Sequence, residues 1–450
     1  MVDPPKGRTA TRVLMSSRAY RAWLLAVLFL IAMIGFTDRM VIGALAQPIK
    51  VELGISDAQL GLLAGLAFAV LNSLLGIPLA RLAERRNRVV IYGVGVLLWS
   101  AATMSCALAT SFFGLFLARI AVGIGEASAP AASSLVADYY PPARRVATSA
   151  VLSVSIPLGV LLGAIGAGWL AQHSSWRIAF VAAGAPGLVL GLLLLMTIRE
   201  PPRGLYDAPS GSDEVPPFAA VLRRILARRA FIHVLAGSTI ASAAGFGINM
   251  FLAAYYVRRF ALDFVQSGAL SGLISSVPGT IGMLGGGLLT ARLAQRDGRW
   301  VTLAPAIGAG LATPLYLAGF GAGDWRAFTA VLMVTGLFQY IYLPASNSVY
   351  ANVMAPRMRA TAAALVAIVT NLVGAGLGPL LVGGLSDRFA ARAYAGDFAT
   401  ACAHAASAAG CRVASAEGLE RAMIVMAGLY LWAALHFVLA ARTVRDDMAG

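Results

Sequence analysis

Charged and chemically reactive side chains are scarce in this sequence. Asp, Glu, Lys and Arg make up only 12% of the 450 residues, whereas soluble domains contain about 25%. Three cysteines and four histidines are present, and none has the spacing of a metal site. The histidines do not stand in a recognisable acid/base motif. These absences argue against a soluble protein, against a resident metal or cofactor, and against an enzyme.

The few cysteines leave one question open. Cys106 lies in an apolar stretch, whereas Cys402 and Cys411 lie in a long Ala- and Ser-rich segment near the C-terminus. On an oxidising face of a membrane the latter two could form a loop disulfide. Their spacing is equally compatible with two free thiols.

Long apolar stretches dominate what is present. Hydrophobic residues make up 59% of the chain, and the mean hydropathy is +0.78. Stretches of about 20 residues, the length that spans a bilayer, can be placed twelve times. They are continuous rather than alternating, which predicts helices and not strands. The predicted fold class is all-α, with twelve transmembrane helices near 21–46, 57–82, 89–110, 111–138, 146–172, 176–198, 230–256, 264–290, 300–322, 326–353, 360–385 and 422–442.

The basic residues are distributed unevenly around these segments. If the spans alternate, the side that holds both termini carries 24 of the 35 lysines and arginines, and the other side carries 9. Cytoplasmic loops show such an excess, so both termini are predicted to be cytoplasmic. The net charge of +15 is then a topology signal, and no nucleic-acid partner is expected. The first apolar segment is too long for a cleavable signal peptide, and the expected location is a bacterial inner (plasma) membrane.

A short basic string occurs twice, in corresponding places of the two halves. Residues 80–88 have the sequence ARLAERRNR, and residues 291–299 have the sequence ARLAQRDGR. Repeated halves are typical of transporters built from two bundles, whose substrate site lies between the bundles. Segment 199–229 begins as a Pro- and Gly-containing linker and becomes amphipathic, which predicts a helix on the membrane surface. It divides the chain into six-helix bundles at 1–198 and 230–450.

Together these features resemble the major facilitator superfamily, whose fold is two pseudo-symmetric six-helix bundles. The repeated string resembles the family's loop signature between the second and third helices, with Glu84 and Gln295 in place of its Asp. In the family this loop braces neighbouring helices in the outward-open state. The resemblance thus implies gating roles for Glu84, Arg85, Asp138 and Arg296, with Arg85 paired to Asp138. A solvated basic loop explains the arginines equally well.

Four ionisable residues lie well inside predicted spans, where each costs ~2.5–3.5 kcal/mol at a helix centre, so function is expected of them. They are Asp38, Arg39, Arg119 and Glu126. Arg119 and Glu126 are seven residues apart and share a helix face. Because helices 1 and 4 line the cavity in the superfamily, the resemblance implies that Asp38, Arg119 and Glu126 converge and neutralise one another. The alternatives are static ion pairs, and an Arg39 that snorkels to the interface.

The predicted spans of the second half contain no embedded charges, only neutral polar groups on helical stripes. The candidates to line a substrate site are Asn249, Tyr255, Gln339, Ser346, Tyr350 and Asn371. Such residues also serve in packing and interhelical hydrogen bonds. A cavity with one ionic and one apolar-polar half suits an amphiphile, with its head towards Arg119.

Within the superfamily the sequence looks most like the Spinster group of proposed lipid and lysolipid transporters. The likeness is carried by Phe36-Thr37-Asp38-Arg39, by residues 55–61 and by residues 119–127. It suggests a gating role for Asp57, although Ser56-Asp57 is also typical of a helix N-cap.

The function expected from these residues is transport of a small amphiphile, such as a lysolipid or sphingolipid, by alternating access coupled to protons. The expected partners are that substrate, protons and membrane lipids, and a monomer is expected to be the working unit. A drug/proton antiporter or an organic-acid symporter would use similar charges. A lipid scramblase and a membrane-embedded enzyme rank lower, the latter because the histidines form no acid/base motif.

Overall fold

Twelve long apolar helices make up most of the chain that the structure describes. The computed structural model describes residues 17–203, 217–355, 358–402 and 409–449. In these ranges it contains helices and no strands, which confirms the predicted fold class. Spans 1 to 12 are Arg18–Ala44, Asp57–Arg85, Arg88–Leu108, Phe112–Tyr139, Ala147–His173, Trp176–Thr197, Arg229–Phe260, Phe264–Ala294, Trp300–Phe320, Trp325–Val353, Thr361–Ala393 and Ala409–Ala441.

An even number of spans places both ends of the chain on the same side of the helix array. We call this the linker side, because the connection between spans 6 and 7 also lies there, and we call the opposite side the far side. The linker side carries the two basic strings, since they connect spans 2 and 3 and spans 8 and 9.

Each half of the chain packs mainly against itself. In the first half span 1 packs on span 5 and span 3 on span 6, whereas in the second half span 12 packs on spans 7, 9 and 11. The halves meet where span 5 crosses span 8 and where span 2 crosses span 11. At the first crossing a Cβ on Gly168 would clash with the Phe264 carbonyl, and Gly268 lies beside it. The missing side chains therefore let these backbones approach closely.

Two of the spans at the junction of the halves are irregular. Span 2 breaks at Gly65, between the helices Asp57–Ala64 and Leu66–Arg85. Span 11 contains a π-helical segment, Thr370–Gly376. The Gly376 carbonyl occupies the place that a Cβ of Gly65 would take, so the two irregular segments contact each other. Segments of π-helix are frequent at functional sites.

Several connections between the spans contain structure of their own. In the linker, residues 218–227 form the helix Phe218–Ala227, which lies against spans 7 and 11. Between spans 11 and 12 a disulfide joins Cys402 to Cys411, which answers the question that the spacing left open. Cys106 is a buried free thiol.

Candidate functional site

A central cavity lies between the two halves. The first half contributes residues of spans 1, 2, 4 and 5, and the second half contributes residues of spans 7, 8 and 11. Its wall is mostly apolar, and its polar side chains include Arg39, Asn72, Arg119, Asn249, Ser275 and Asn371. A mostly apolar cleft with a few convergent polar groups is typical of a small-molecule site.

Arg39 is the charged group most exposed to this cavity. Its Nε donates to Glu126 Oε2 at 2.9 Å, and the two side chains form an ion pair. The guanidinium carbon lies 5.0 Å from the ring centres of Phe36 and Phe68, which is cation–π distance. The Arg39 side chain is 36% exposed, whereas that of Glu126 is 4% exposed. Arg39 is therefore a cavity residue, and it does not reach out to the interface.

Asp38 and Arg119 form a second pair behind the first. Arg119 Nη1 lies 3.5 Å from Asp38 Oδ2, and both side chains are 1% exposed. Asp38 Oδ1, Arg119 Nε and Glu126 Oε1 are buried without a hydrogen-bond partner among the described residues. Such unsatisfied polar atoms are costly in a water-poor site. The four charges sum to zero, yet their hydrogen bonding is incomplete.

The pairing differs from the one that the sequence suggested. Arg119 and Glu126 share a helix face, but seven residues correspond to a rise of roughly 10 Å, too far for direct contact. Arg39 therefore neutralises Glu126, and Arg119 neutralises Asp38. Asp38 and Arg39 can serve different partners because consecutive residues on a helix point about 100° apart.

Among the neutral candidates in the second half, Asn249 and Asn371 line the cavity. Asn249 donates to the Tyr340 hydroxyl at 2.9 Å and accepts from the Ser275 hydroxyl at 3.2 Å, which fixes its amide. Asn371 lies in the π-helical segment of span 11 and is exposed. Asn72 of span 2 faces the same space from the first half, and sequence reasoning missed it. The sequence feature that could have identified Asn72 is that it is a lone amide within an apolar run.

Four other candidates lie elsewhere in this conformation. Tyr255 donates to Glu420 on the far side of the second half, at 2.9 Å. Gln339 is buried and accepts hydrogen bonds from two tyrosines of spans 9 and 12. The hydroxyls of Ser346 and Tyr350 both contact the Ser238 hydroxyl. These contacts are internal to the second half, as in the packing alternative.

On the far side, buried charges hold the two halves together. Asp57 begins span 2, and its carboxylate accepts from Arg258 of span 7 at 2.6 and 2.8 Å. It also accepts from Lys50 at 2.7 Å and from the Ser386 hydroxyl at 2.7 Å. We call Lys50, Asp57, Arg258 and Ser386 the far-side latch, because the first two belong to the first half and the others to the second.

The latch corrects the expectation that the second half has no embedded charge. Arg258 is inside the 32-residue helix Arg229–Phe260 and is 5% exposed. Asp387 of span 11 accepts the backbone N–H groups of Asp57 and Ala58, so it caps span 2 from the other half. Ser56 also caps this helix, as the sequence suggested.

Lys50 lies on a short connecting helix, Ala46–Leu53, between spans 1 and 2. Burial lowers the pKa of the Lys50 ammonium, although the neighbouring Asp57 opposes that shift. The same helix is fixed to the first half by Glu52, which accepts from the Trp176 indole at 2.5 Å and pairs with Arg177. The helix that carries Lys50 is therefore bonded to span 6 of the first half.

On the linker side, Asp138 pairs with Arg88 and not with Arg85, the partner that the sequence suggested. Arg88, at the start of span 3, pairs with Asp138 and also with Glu200, at 2.6 Å for the latter. Arg85 is exposed at the end of span 2, and Glu84 is exposed beside it. Arg88 is buried because Asn87 caps span 3, which turns the first residue of that helix into the bundle.

The second copy of the basic string is also on the surface. Arg296 is exposed, and the neighbouring Asp297 pairs with Arg445 at 2.5 Å. The backbone N–H of Arg299 and the Arg445 side chain hold the pKa of Asp297 below its usual value. Among the described residues no group of three or more His, Cys, Asp or Glu side chains is placed to bind a metal.

Known proteins share this architecture. The sequence model of the Major Facilitator Superfamily matches residues 27–379. An MFS-type efflux pump of Mycolicibacterium smegmatis is 34% identical over 82% of this chain and 85% of its own length. A sphingosine-1-phosphate transporter of Danio rerio is 26% identical over 79% of this chain and 74% of its own.

A solved structure is similar over almost the whole chain. It is a bacterial homolog of the human lysosomal transporter Spinster, in an inward-facing and unoccupied conformation. It is 30% identical, with a TM-score of 0.86 over 96% of this chain and 99% of that one.

Proposed function

Because the chain belongs to the Major Facilitator Superfamily, in its Spinster group, and is a transporter rather than an enzyme, we propose that it is a secondary active transporter of an anionic amphiphile. Transport proceeds by alternating access and is coupled to protons. One observation carries this proposal: Arg39 is exposed to the central cavity while its partner Glu126 is buried behind it.

The shape of the cavity supports an amphiphilic substrate. The anionic head binds Arg39, whose guanidinium is oriented by Phe36 and Phe68. The apolar part lies against the second half, where Phe246 and Met250 contribute to the wall. Arg119 is 1% exposed and is already paired, so Arg39 takes the head-group role that the sequence gave to Arg119.

Competition for Arg39 couples the substrate to a proton. An anionic head draws the guanidinium away from Glu126, because both anions seek the same donors. A buried carboxylate that loses its counter-charge in a water-poor site takes up a proton. Asp38 and Arg119 stay paired and keep the rest of the cluster neutral. Protonation removes the charge on Glu126, which lets the two halves move past each other.

The far-side latch gives the direction of access in this conformation. Asp57 and Arg258 join the halves on the far side, and spans 5 and 8 pack closely there. The cavity is thus closed to the far side, and access is from the linker side. The excess of basic residues makes the linker side cytoplasmic, in a bacterial inner membrane. One chain supplies both halves of the cavity, so the working unit is a monomer.

Uptake into proteoliposomes tests the head-group role of Arg39. The wild-type chain and the Arg39→Ala variant are compared for transport of a fluorescent lysophosphatidate under an imposed pH gradient. We expect Arg39→Ala to lower the rate at least tenfold, since a charged hydrogen bond contributes about 1.5–3 kcal/mol. Arg326→Ala is the matched control, because Arg326 is exposed over Trp325 and is not a cavity residue. Unimpaired transport by Arg39→Ala would refute the proposal.

A second candidate is export of cationic drugs by exchange with protons. It is favoured by the similarity to the mycobacterial efflux pump and by the two carboxylates near the cavity. A cationic substrate competes with Arg39 for Glu126 instead of binding Arg39. Transport of a cationic dye that survives Arg39→Ala but is lost in Glu126→Gln would select this candidate.

A further inference from the structure

A second cavity, separate from the central one, lies on the far side next to the latch. Both halves of the chain contribute to its wall. Lys50 and Arg258 are in that wall, although they are only 8% and 5% exposed. Lys50 and Arg258 therefore pair with the Asp57 carboxylate and also contribute to the wall of the far-side cavity.

A third cation completes this group. Arg412 lies at the cavity wall directly after Cys411, whose disulfide to Cys402 fixes its place. Arg412 is exposed, and its side chain makes no ion pair with any other residue that the structure describes. Phe398 and Ile55 give the same wall an apolar side.

The carboxylates that face this cavity are already engaged. Asp387 accepts the two backbone N–H groups at the start of span 2. Asp397 accepts from the Thr400 hydroxyl at 2.5 Å and from the Ala399 N–H at 3.1 Å. These backbone and hydroxyl donors hold the pKa of Asp397 below its usual value. Lys50 and Arg258 are paired with Asp57, so Arg412 is the cation of this wall that has no ion-pair partner among the described residues.

From this arrangement we propose that the far-side cavity binds an anionic amphiphile, a phosphate monoester with an apolar chain, and that binding opens the far-side latch. The phosphate binds Arg412 and competes with Asp57 for Lys50 and Arg258. The chain lies against Phe398. A ligand from the far side thereby releases the contact that closes that side. The role of this cavity in transport rests on the proposed function, but the binding site itself can be tested by binding measurements alone.

Binding is measured by titration calorimetry on the protein in nanodiscs of zwitterionic lipid, with hexyl phosphate as the probe. We expect two sites per chain, one weakened about tenfold in Arg412→Ala and the other lost in Arg39→Ala. Arg392→Ala is the matched control, because Arg392 is an exposed arginine of span 11 that does not line the cavity. Arg412→Lys should restore most of the affinity.

The outcomes separate this inference from the proposed function. If Arg39→Ala removes all binding, or Arg412→Ala binds like Arg392→Ala, the far-side site is wrong and the central site stands. If Arg412→Ala removes all binding and Arg39→Ala none, the central site fails instead. A parallel titration with inorganic phosphate distinguishes a lipid-like ligand from a free anion. Equal affinity for both probes would overturn the assignment of an amphiphile.

Opening of the latch has its own readout. Spin labels at Thr110→Cys and Gly323→Cys report the far-side distance between loops of the two halves. Hexyl phosphate should widen this distance, and Arg412→Ala should raise the required concentration about tenfold. A distance that stays unchanged at saturating hexyl phosphate would contradict the opening step.

Discussion

Replacing Asp57 by Asn should change the access to the central cavity, so that it opens to the far side instead of the linker side. The Asp57 carboxylate receives two hydrogen bonds from Arg258 and one each from Lys50 and Ser386, all of them buried. Asn keeps the size of the side chain but removes the charge. Arg258 and Lys50 then remain as buried cations without their counter-charge.

The size of this shift in population depends on which contacts of Asp57 join the two halves. Lys50 and Asp57 belong to the same half, so the loss of their pair affects both conformations alike. The contact with Arg258 exists only while the far side is closed. Removing one partner of a buried ion pair costs roughly 3–5 kcal/mol. Because 1.4 kcal/mol is tenfold, the far-open conformation should gain at least 100-fold in relative population.

Thiol labelling measures this shift. In an Asn72→Cys, Cys106→Ser variant the one free thiol lies in the cavity wall, since Cys402 and Cys411 form a disulfide, and it reacts with a membrane-impermeant maleimide from whichever side is open. Asp57→Asn should raise the far-side labelling rate about 100-fold and lower the linker-side rate. Glu52→Gln is the control, because Glu52 bonds only within the first half. An unchanged far-side rate in Asp57→Asn would refute the role of the latch.

Two further predictions concern the linker side and the crossing of spans 5 and 8. Arg88→Ala breaks buried pairs with Asp138 and Glu200 and should lower the free energy of unfolding by about 3–5 kcal/mol, whereas the exposed Arg85→Ala should change it by less than about 0.5 kcal/mol. Thermal unfolding in detergent checks both, and equal losses would contradict the assignment. Gly268→Leu should hold the far side open, because its backbone lies against Gly168. The same thiol-labelling assay tests it, and unchanged labelling would contradict this.

The spans and the position of the ionic cluster could be predicted from the sequence, because both follow from the cost of placing polar groups in a bilayer. That cost makes a span a long apolar run and makes a charge such as Glu126 conspicuous. The partners of the charges could not be predicted, because they depend on which face each helix turns to its neighbours. The partner of Glu126 is therefore Arg39, although the sequence suggested Arg119.

The latch was missed for a related reason. Arg258 and Arg259 stand together at the end of an apolar run, which looks like an ordinary basic loop in the sequence. Only the full length of span 7 brings Arg258 inside, where it meets Asp57. In the same way, Arg85 and Arg88 look equivalent in a basic string. The helix start that Asn87 caps is what buries Arg88.

Proton movement that accompanies substrate transport tests the central claim most directly. In proteoliposomes with a pH-sensitive dye inside, the wild-type chain should move protons when lysophosphatidate is added, and an imposed pH gradient should drive the substrate. Glu126→Gln should abolish both, whereas Glu417→Gln, which changes an exposed carboxylate of span 12, should leave both intact. Proton movement and pH-driven transport that persist at wild-type rates in Glu126→Gln would contradict coupling through the Arg39–Glu126 pair.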